Sequence, residues 1–177
     1  MSLFVVDVEA DGPAPGLYSM VCFGAVVVTD WCIGESFFGR TRPISDQWLP
    51  QALAVSTFTR EEHLQFDAPA DVMRAFADWV ARVNQGSRPV FVSDNPAFDW
   101  QFINYYFWRY LNENPFGHSA RRIGDFAAGL AGDFFAKQRW KTQRKTHHTH
   151  NPVDDARGNA EALIALATSA RANRPAG

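Results

Sequence analysis

Apolar residues come first in three short runs and then in a slower, helical rhythm. Residues 4–12, Phe-Val-Val-Asp-Val-Glu-Ala-Asp-Gly, form an apolar run that carries two carboxylates and breaks at Asp11-Gly12. Its Val and Phe content predicts a buried strand. Residues 13–18 read as a loop. Residues 20–29 predict a second, largely buried strand, Thr29-Asp30-Trp31 a turn, and residues 32–42 a third strand. The short connections favour antiparallel pairing of the three.

The rhythm then changes. Residues 46–66 read as short helices, with Thr59-x-x-Glu62 as a capping box. Pro69 opens a longer helix whose Val72, Met73, Phe76, Val80 and Val83 recur at helical spacing, and Gly86 is expected to end it. Residues 88–93, centred on Val90-Phe91-Val92, predict a strand. A strand reached through a helix favours parallel pairing in the same sheet. Pro96 lies in the first turn of a further helix to about Leu111, capped by Asp94 or Asn95. Its aromatics surround the helix, which predicts burial on more than one side. Residues 112–120 read as a loop, and Ile123 to about Lys137 as a short extended piece and a helix. A last helix runs from near Pro152 to about Ala172, packing through Val153, Ala156, Ala160, Leu163, Ile164 and Ala167. Residues 173–177 are expected to be a frayed tail. The expectation is one α/β domain over residues 1–172, a mixed five-stranded sheet with flanking helices.

Composition narrows the function classes. The chain has 177 residues, 46% apolar and 20% charged, which fits one soluble domain with a full core. The net charge of −2 is not that of a polycation, so nucleic-acid binding would need a local basic patch or metal ions. Cys22 and Cys32 have no Cys-x-x-Cys spacing and are expected to be buried thiols in a reducing compartment. The first residues show no basic leader pattern, and no apolar run is long enough to span a membrane. A cytoplasmic protein without membrane contact is expected.

Asp7 and Glu9 are two apart on a strand, so both project to one face. Two adjacent carboxylates at the end of a core strand repel each other and lose hydration. Hard divalent cations such as Mg2+ or Mn2+ relieve that penalty with oxygen ligands. The alternative is an exposed strand end that merely begins a turn. Asp99, at the start of a helix, and Asp155, at the start of the last one, also suit the first-turn preference for acids. Lys137, Arg139, Lys141, Arg144 and Lys145 are interleaved with Trp140, His147, His148 and His150, and no acid occurs from Phe134 to Val153. This stretch is either a solvated loop or a phosphate-steering one.

Three motifs in order carry a resemblance. They are Phe4-Val-Val-Asp7-Val-Glu9-Ala-Asp-Gly12, Asn95-Pro-Ala-Phe98-Asp99 and His150-Asn-Pro-Val-Asp-Asp155. From residue 3 to about 170 the chain resembles the DEDDh family of 3'-5' exonucleases, which have a ribonuclease H-like fold. The resemblance implies that Asp7, Glu9, Asp99 and Asp155 hold two divalent ions, Mg2+ or Mn2+, and that His150 is the general base on the attacking water. It implies nucleoside 5'-monophosphates as products. Phe98, beside the site, is a candidate to stack on a terminal base. Lys141, Arg144 and Lys145 are candidates for backbone phosphates.

The chain departs from the family pattern at two points. Ala10-Asp11-Gly12 stands where the family commonly has Thr-Gly, which puts sugar recognition in doubt. Asp94 stands where the family often has His, either capping the helix or acting near the site; the cap preference favours the first. Asp154 is a second choice to Asp155, and Asp125, His147 and His148 read as structural or surface residues. Single-stranded RNA is the expected substrate because the compact chain is similar to the ribonuclease members, with DNA as the alternative. A non-catalytic nucleic-acid-binding module and a structural adaptor are the competing classes. A homodimer is compatible with the resemblance.

Overall fold

The computed structural model describes residues 2–86, 88–136 and 138–172. Lys137 and the expected tail at 173–177 lie outside the described residues. At the centre lies β1 (Ser2–Ala10), flanked by β2 (Met20–Thr29) and β4 (Val90–Ser93), with β3 (Cys32–Arg40) and β5 (Ala120–Arg122) at the edges. The order is β3-β2-β1-β4-β5. β1–β2 and β2–β3 are antiparallel, and β1–β4 and β4–β5 are parallel. This is the expected mixed five-stranded sheet.

Strand alternation sorts the core onto two faces. Phe4, Val6 and Val8 face α3 (Pro69–Val83) and α4 (Pro96–Leu111), where Met73, Phe76, Trp79, Phe102, Ile103, Tyr106 and Phe107 pack. Each such fully buried apolar side chain stabilises the fold by about 1.5–3 kcal/mol relative to exposure. Val5, Val26, Val28 and Val92 face α5 (Ile123–Ala131) and α6 (Pro152–Ala172), meeting Ile123, Ala127, Ala156, Ala160 and Leu163. Two short helices, α1 (Pro50–Val55) and α2 (Arg60–Leu64), lie between β3 and α3. The Thr59–Glu62 capping box of α2 is formed as expected. No helix among the described residues is long and apolar enough to cross a membrane.

Several expectations are corrected. α3 ends at Val83 because Asn84 is already extended, so Gly86 lies beyond the helix rather than ending it. β3 stops at Arg40, and the stretch read as a loop at 112–120 ends in the short β5. α5 ends at Ala131, where Gly132 turns left-handed (φ 63°). Cys22 is buried but Cys32 is exposed, because β3 is an edge strand. In α4, Phe102, Tyr106 and Phe107 are buried, and Phe98, Trp100, Tyr105 and Tyr110 pack against the core, in keeping with the expectation, while Trp108 is 52% exposed.

The pairing of β1 with β4 ends at Val5–Val92. Asp7 and Glu9 therefore run past the last paired residue of β4, and the end of β1 forms one wall of a cleft. Ligands of open α/β sheets bind at such carboxyl ends of strands.

Candidate active site

Asp7 and Glu9 project from β1 toward the face that α6 covers. In the antiparallel register Asp7 is opposite Gly24, and Glu9 is opposite Cys22. Gly24 carries the close approach here: a Cβ at this position would overlap the carbonyl group of Pro152 and the nitrogen of Val153. The first turn of α6 thus rests on bare backbone, and this delivers Asp155 to the acids of β1. Single carboxylate oxygens of Asp7, Glu9 and Asp155 lie within 4.8 Å of one another.

Asp99 arrives from the opposite layer, in the first turn of α4. Its Oδ1 accepts a hydrogen bond from the Val8 N–H (3.2 Å) and its Oδ2 one from the Asn95 N–H (3.3 Å). These bonds dock the start of α4 onto the end of β1.

His150 sits on the loop that enters α6, in the left-handed region at φ 62°. A non-glycine residue there costs about 1–2 kcal/mol. Asp155 compensates: it accepts hydrogen bonds from the N–H groups of Thr149 (2.9 Å) and His150 (3.0 Å). Glu161, six residues further along α6, accepts from the N–H groups of Lys145 (2.8 Å) and Thr146 (2.7 Å). The loop is therefore tied to the helix that follows it. The His150 ring is half-exposed, with Nδ1 3.5 Å from Glu9 Oε1.

Burial and mutual repulsion disfavour ionisation of the cluster. Burial first, then the charges of Asp99, Glu9 and Asp155, holds the Asp7 carboxyl well above the usual carboxylate range, with Arg144 acting in the opposite sense. Burial lifts Glu9 to about 7, with Asp155 adding to it. Burial also lifts Asp99 to about 7, against the hydrogen bonds it accepts. Among the described residues, the basic side chains nearest to these acids are imidazoles: His150 beside Glu9 (3.5 Å) and His148 beside Asp155 (2.8 Å). Such a group of carboxylates, converging without a bonded Lys or Arg, fits hard divalent cations.

Beside the acids is a cavity of about 380 Å3, lined by Glu9, Ala10, Gly12, Pro13, Leu49, Ala52, Val55 and Phe98. Its lining is mostly apolar, and the Phe98 ring is backed by Phe102 at 5.1 Å. Leu49, Ala52 and Val55 come from α1 and its cap, which carried no signal for this role in the sequence. Asp11, where the family pattern has Thr-Gly, turns inward and is fully buried. It accepts from the Ser19 N–H (2.6 Å) and from Arg60 (2.9 Å), and its carbonyl accepts from the Leu49 N–H (2.8 Å). Asp11 thereby fixes one wall of the cavity through Leu49 and is held by Ser19 and Arg60.

The basic segment is only partly free. Lys141 Nζ lies 2.6 Å from Asp94 Oδ2. The Arg144 side chain is 12% exposed; it donates to Asn159 and lies 3.7 Å from Asp94. Lys145 is exposed. Asp94 is therefore not the helix cap favoured by the sequence. Its carboxylate pairs with the basic segment instead, and the N-cap position of α4 is Asn95, which makes no side-chain cap. His148, expected at the surface, also meets the cluster: its Nδ1 is 2.8 Å from Asp155 Oδ2. Both contacts join residues distant in sequence or set by a loop conformation, so no spacing rule announced them.

A sheet in this order, with an acid cluster where the central strand meets the first turns of α4 and α6, defines the ribonuclease H-like class of nucleases. Comparison with known proteins gives the family. The chain is 37% identical over 163 residues to the 3'-5' DNA exonuclease Cap18 of Escherichia coli, covering 88% of this chain and 86% of that protein. The chain belongs to the DEDDh family of 3'-5' exonucleases. Solved structures share the fold at low identity. One is the nuclease domain of 3'hExo, a DEDDh family member, bound to rAMP, with a TM-score of 0.75, 15% identity, and coverage of 95% of this chain and 92% of that one. Another is Exonuclease X in complex with 5' overhanging duplex DNA, with a TM-score of 0.62, 21% identity, and coverage of 94% and 92%. No protein-family model matches the chain.

Proposed function

We propose that residues 1–172 form a single domain that removes nucleotides one at a time from the 3' end of single-stranded nucleic acid. The observation that carries this reading is the convergence of Asp7, Glu9 and Asp155 within 4.8 Å, with Asp99 docked beside them. In this reading the four acids hold two divalent ions, Mg2+ or Mn2+. When bound, such ions neutralise the acids and stabilise charge on the attacking and leaving oxygens.

The protein's own groups then divide the work. His150, half-exposed and tethered through Asp155, accepts the proton of the attacking water. The water oxygen bonds to phosphorus, the bond to the 3' oxygen of the preceding nucleotide breaks, that oxygen takes up a proton from solvent to become the new 3'-hydroxyl, and a nucleoside 5'-monophosphate leaves. Phe98 and the apolar cavity receive the terminal base by stacking. Lys145 meets backbone phosphates, and Lys141 joins it where its pairing with Asp94 is exchanged for substrate. Arg144 acts through its field on Asp7 rather than by reaching solvent. The sequence favoured RNA; the name of the E. coli relative supports testing DNA first, with RNA as matched competitor.

The test is digestion of 5'-labelled DNA and RNA strands of one sequence, with Mg2+, Mn2+ or chelator, beside Asp99→Ala. A metal-dependent ladder that shortens from the 3' end, and is lost in the variant, is the expected outcome. The faster strand identifies the substrate. A ladder that persists in chelator or in Asp99→Ala would sink the reading.

A further inference from the structure

The loop entering α6 brings two imidazoles and a carboxylate to one point. Ligand atoms of His148, His150 and Asp155 all lie within 4.8 Å of one another. His148 Nδ1 is 2.8 Å from Asp155 Oδ2, and the two imidazole rings stand edge to face with centroids 4.4 Å apart. Asp155 is buried and anchored by the Thr149 and His150 N–H groups, whereas the side chains of His148 and His150 are 49% and 47% exposed. The group therefore has one rigid ligand and two that can turn.

The donor set differs in kind from the acids of β1. Asp7, Glu9 and Asp99 offer only oxygen, which suits Mg2+ and Mn2+; imidazole suits Zn2+, Cu2+ and Ni2+. Around a tetrahedral ion with bonds of about 2.0–2.1 Å, donor atoms stand roughly 3.4 Å apart. The observed separations, from 2.8 Å to at most 4.8 Å, bracket that value. Both His side chains are about half exposed, which leaves their rings room to turn toward a shared ion.

We propose that His148, His150 and Asp155 form a second kind of metal site, for a borderline-soft divalent cation such as Zn2+. Its ligand set overlaps the acid cluster at Asp155 and includes His150. Its consequence rests on the proposed function: an ion held there occupies the imidazole that would accept a proton and a carboxylate that the hard ions need. Zn2+ then inhibits hydrolysis supported by Mg2+.

Calorimetric titration with ZnCl2 in excess Mg2+ tests the site without reference to activity. Wild type, His148→Gln and Asp7→Asn are compared, each checked for native circular dichroism. Wild type is expected to bind one Zn2+. His148→Gln should weaken binding at least tenfold, and Asp7→Asn should change it less than threefold. The visible spectrum of bound Co2+ should follow the same order. The reverse pattern, with binding lost in Asp7→Asn and kept in His148→Gln, assigns Zn2+ to the carboxylates and overturns the proposal. Equal binding by all three proteins, or none by wild type, overturns it as well. In the nuclease assay, half-inhibition of His148→Gln should need at least tenfold more Zn2+ than wild type, each normalised to its own Mg2+ rate. If no protein cleaves any strand, the exonuclease reading fails, and the titration still decides the metal site.

Discussion

Asp7 stands opposite Gly24 in the β1–β2 register, and the first turn of α6 rests on that glycine. The missing side chain at 24 sets the distance between Asp7 and Asp155. Gly24→Ala forces α6 outward or strains the sheet, because the blocking atoms are backbone. We expect a loss of about 1–3 kcal/mol in denaturant unfolding and a fall in metal-dependent hydrolysis of at least tenfold. Gly129→Ala is the control. Nothing lies within 4 Å of a Cβ there, and an alanine within α5 should stabilise by about 0.4–1 kcal/mol.

Asp7→Ala separates catalysis from folding. Ionisation of Asp7 is disfavoured by burial and by three neighbouring carboxylates, so its removal takes a buried acid and its repulsion out of the metal-free protein. Hydrolysis should be abolished, while the melting temperature in chelator stays equal to wild type or rises. Stabilisation by added Mn2+, seen in wild type, should shrink. An active Asp7→Ala enzyme would falsify the assignment of the cluster.

How much of this was legible in the sequence follows from the range of each interaction. The central strand, α3 and α6 announce themselves because a Val- and Phe-rich apolar run and a 3.6-residue period are local signals, and α6 begins at Pro152 as its sequence suggests. Gathering the motif residues at one site needed the family resemblance, because Asp99 meets Val8 across 91 positions of sequence. The roles of Asp94, His148 and Asp11 were not legible. Asp94 and Asp11 find partners on other elements, Lys141 and Arg60. His148 depends on the turn that precedes α6, whose left-handed residue, His150, is not glycine. The exposure of Cys32 is not legible because a strand pattern does not tell edge from centre.

Metal-free stability should depend on pH in a direction fixed by Glu9. Its carboxyl is lifted from 4.5 to about 7 in the folded protein. A group raised on folding contributes stability that is fully present below its unfolded value and is lost as pH rises through the folded one. Glu9, and Asp99 in the same sense, therefore destabilise the metal-free protein as pH goes from about 4 to 8. Melting temperatures in chelator should fall over that window, measured against a Glu9→Gln variant in which the fall is smaller. Mn2+ should raise the melting temperature more at pH 8 than at pH 5, because binding requires the ionised acids.

Salt dependence separates the three candidate phosphate contacts. Lys145 is exposed, Lys141 is paired with Asp94, and Arg144 is held by Asn159 and Asp94. Each lysine that neutralises a phosphate of a single strand contributes about 0.7 to the slope of log affinity against log salt. Lys145→Ala should lower the slope by about that amount. Lys141→Ala should lower it by less, since its charge is already shared with Asp94. Arg144→Met should leave the slope nearly unchanged but destabilise the fold by about 1–3 kcal/mol, through the stranded hydrogen-bond acceptor Asn159. Binding would be measured with a catalytically silent Asp99→Ala background and a fluorescent single strand across a salt series. Equal slope changes for all three variants would mean that Arg144 leaves its internal partners for the substrate, and that the segment rearranges on binding.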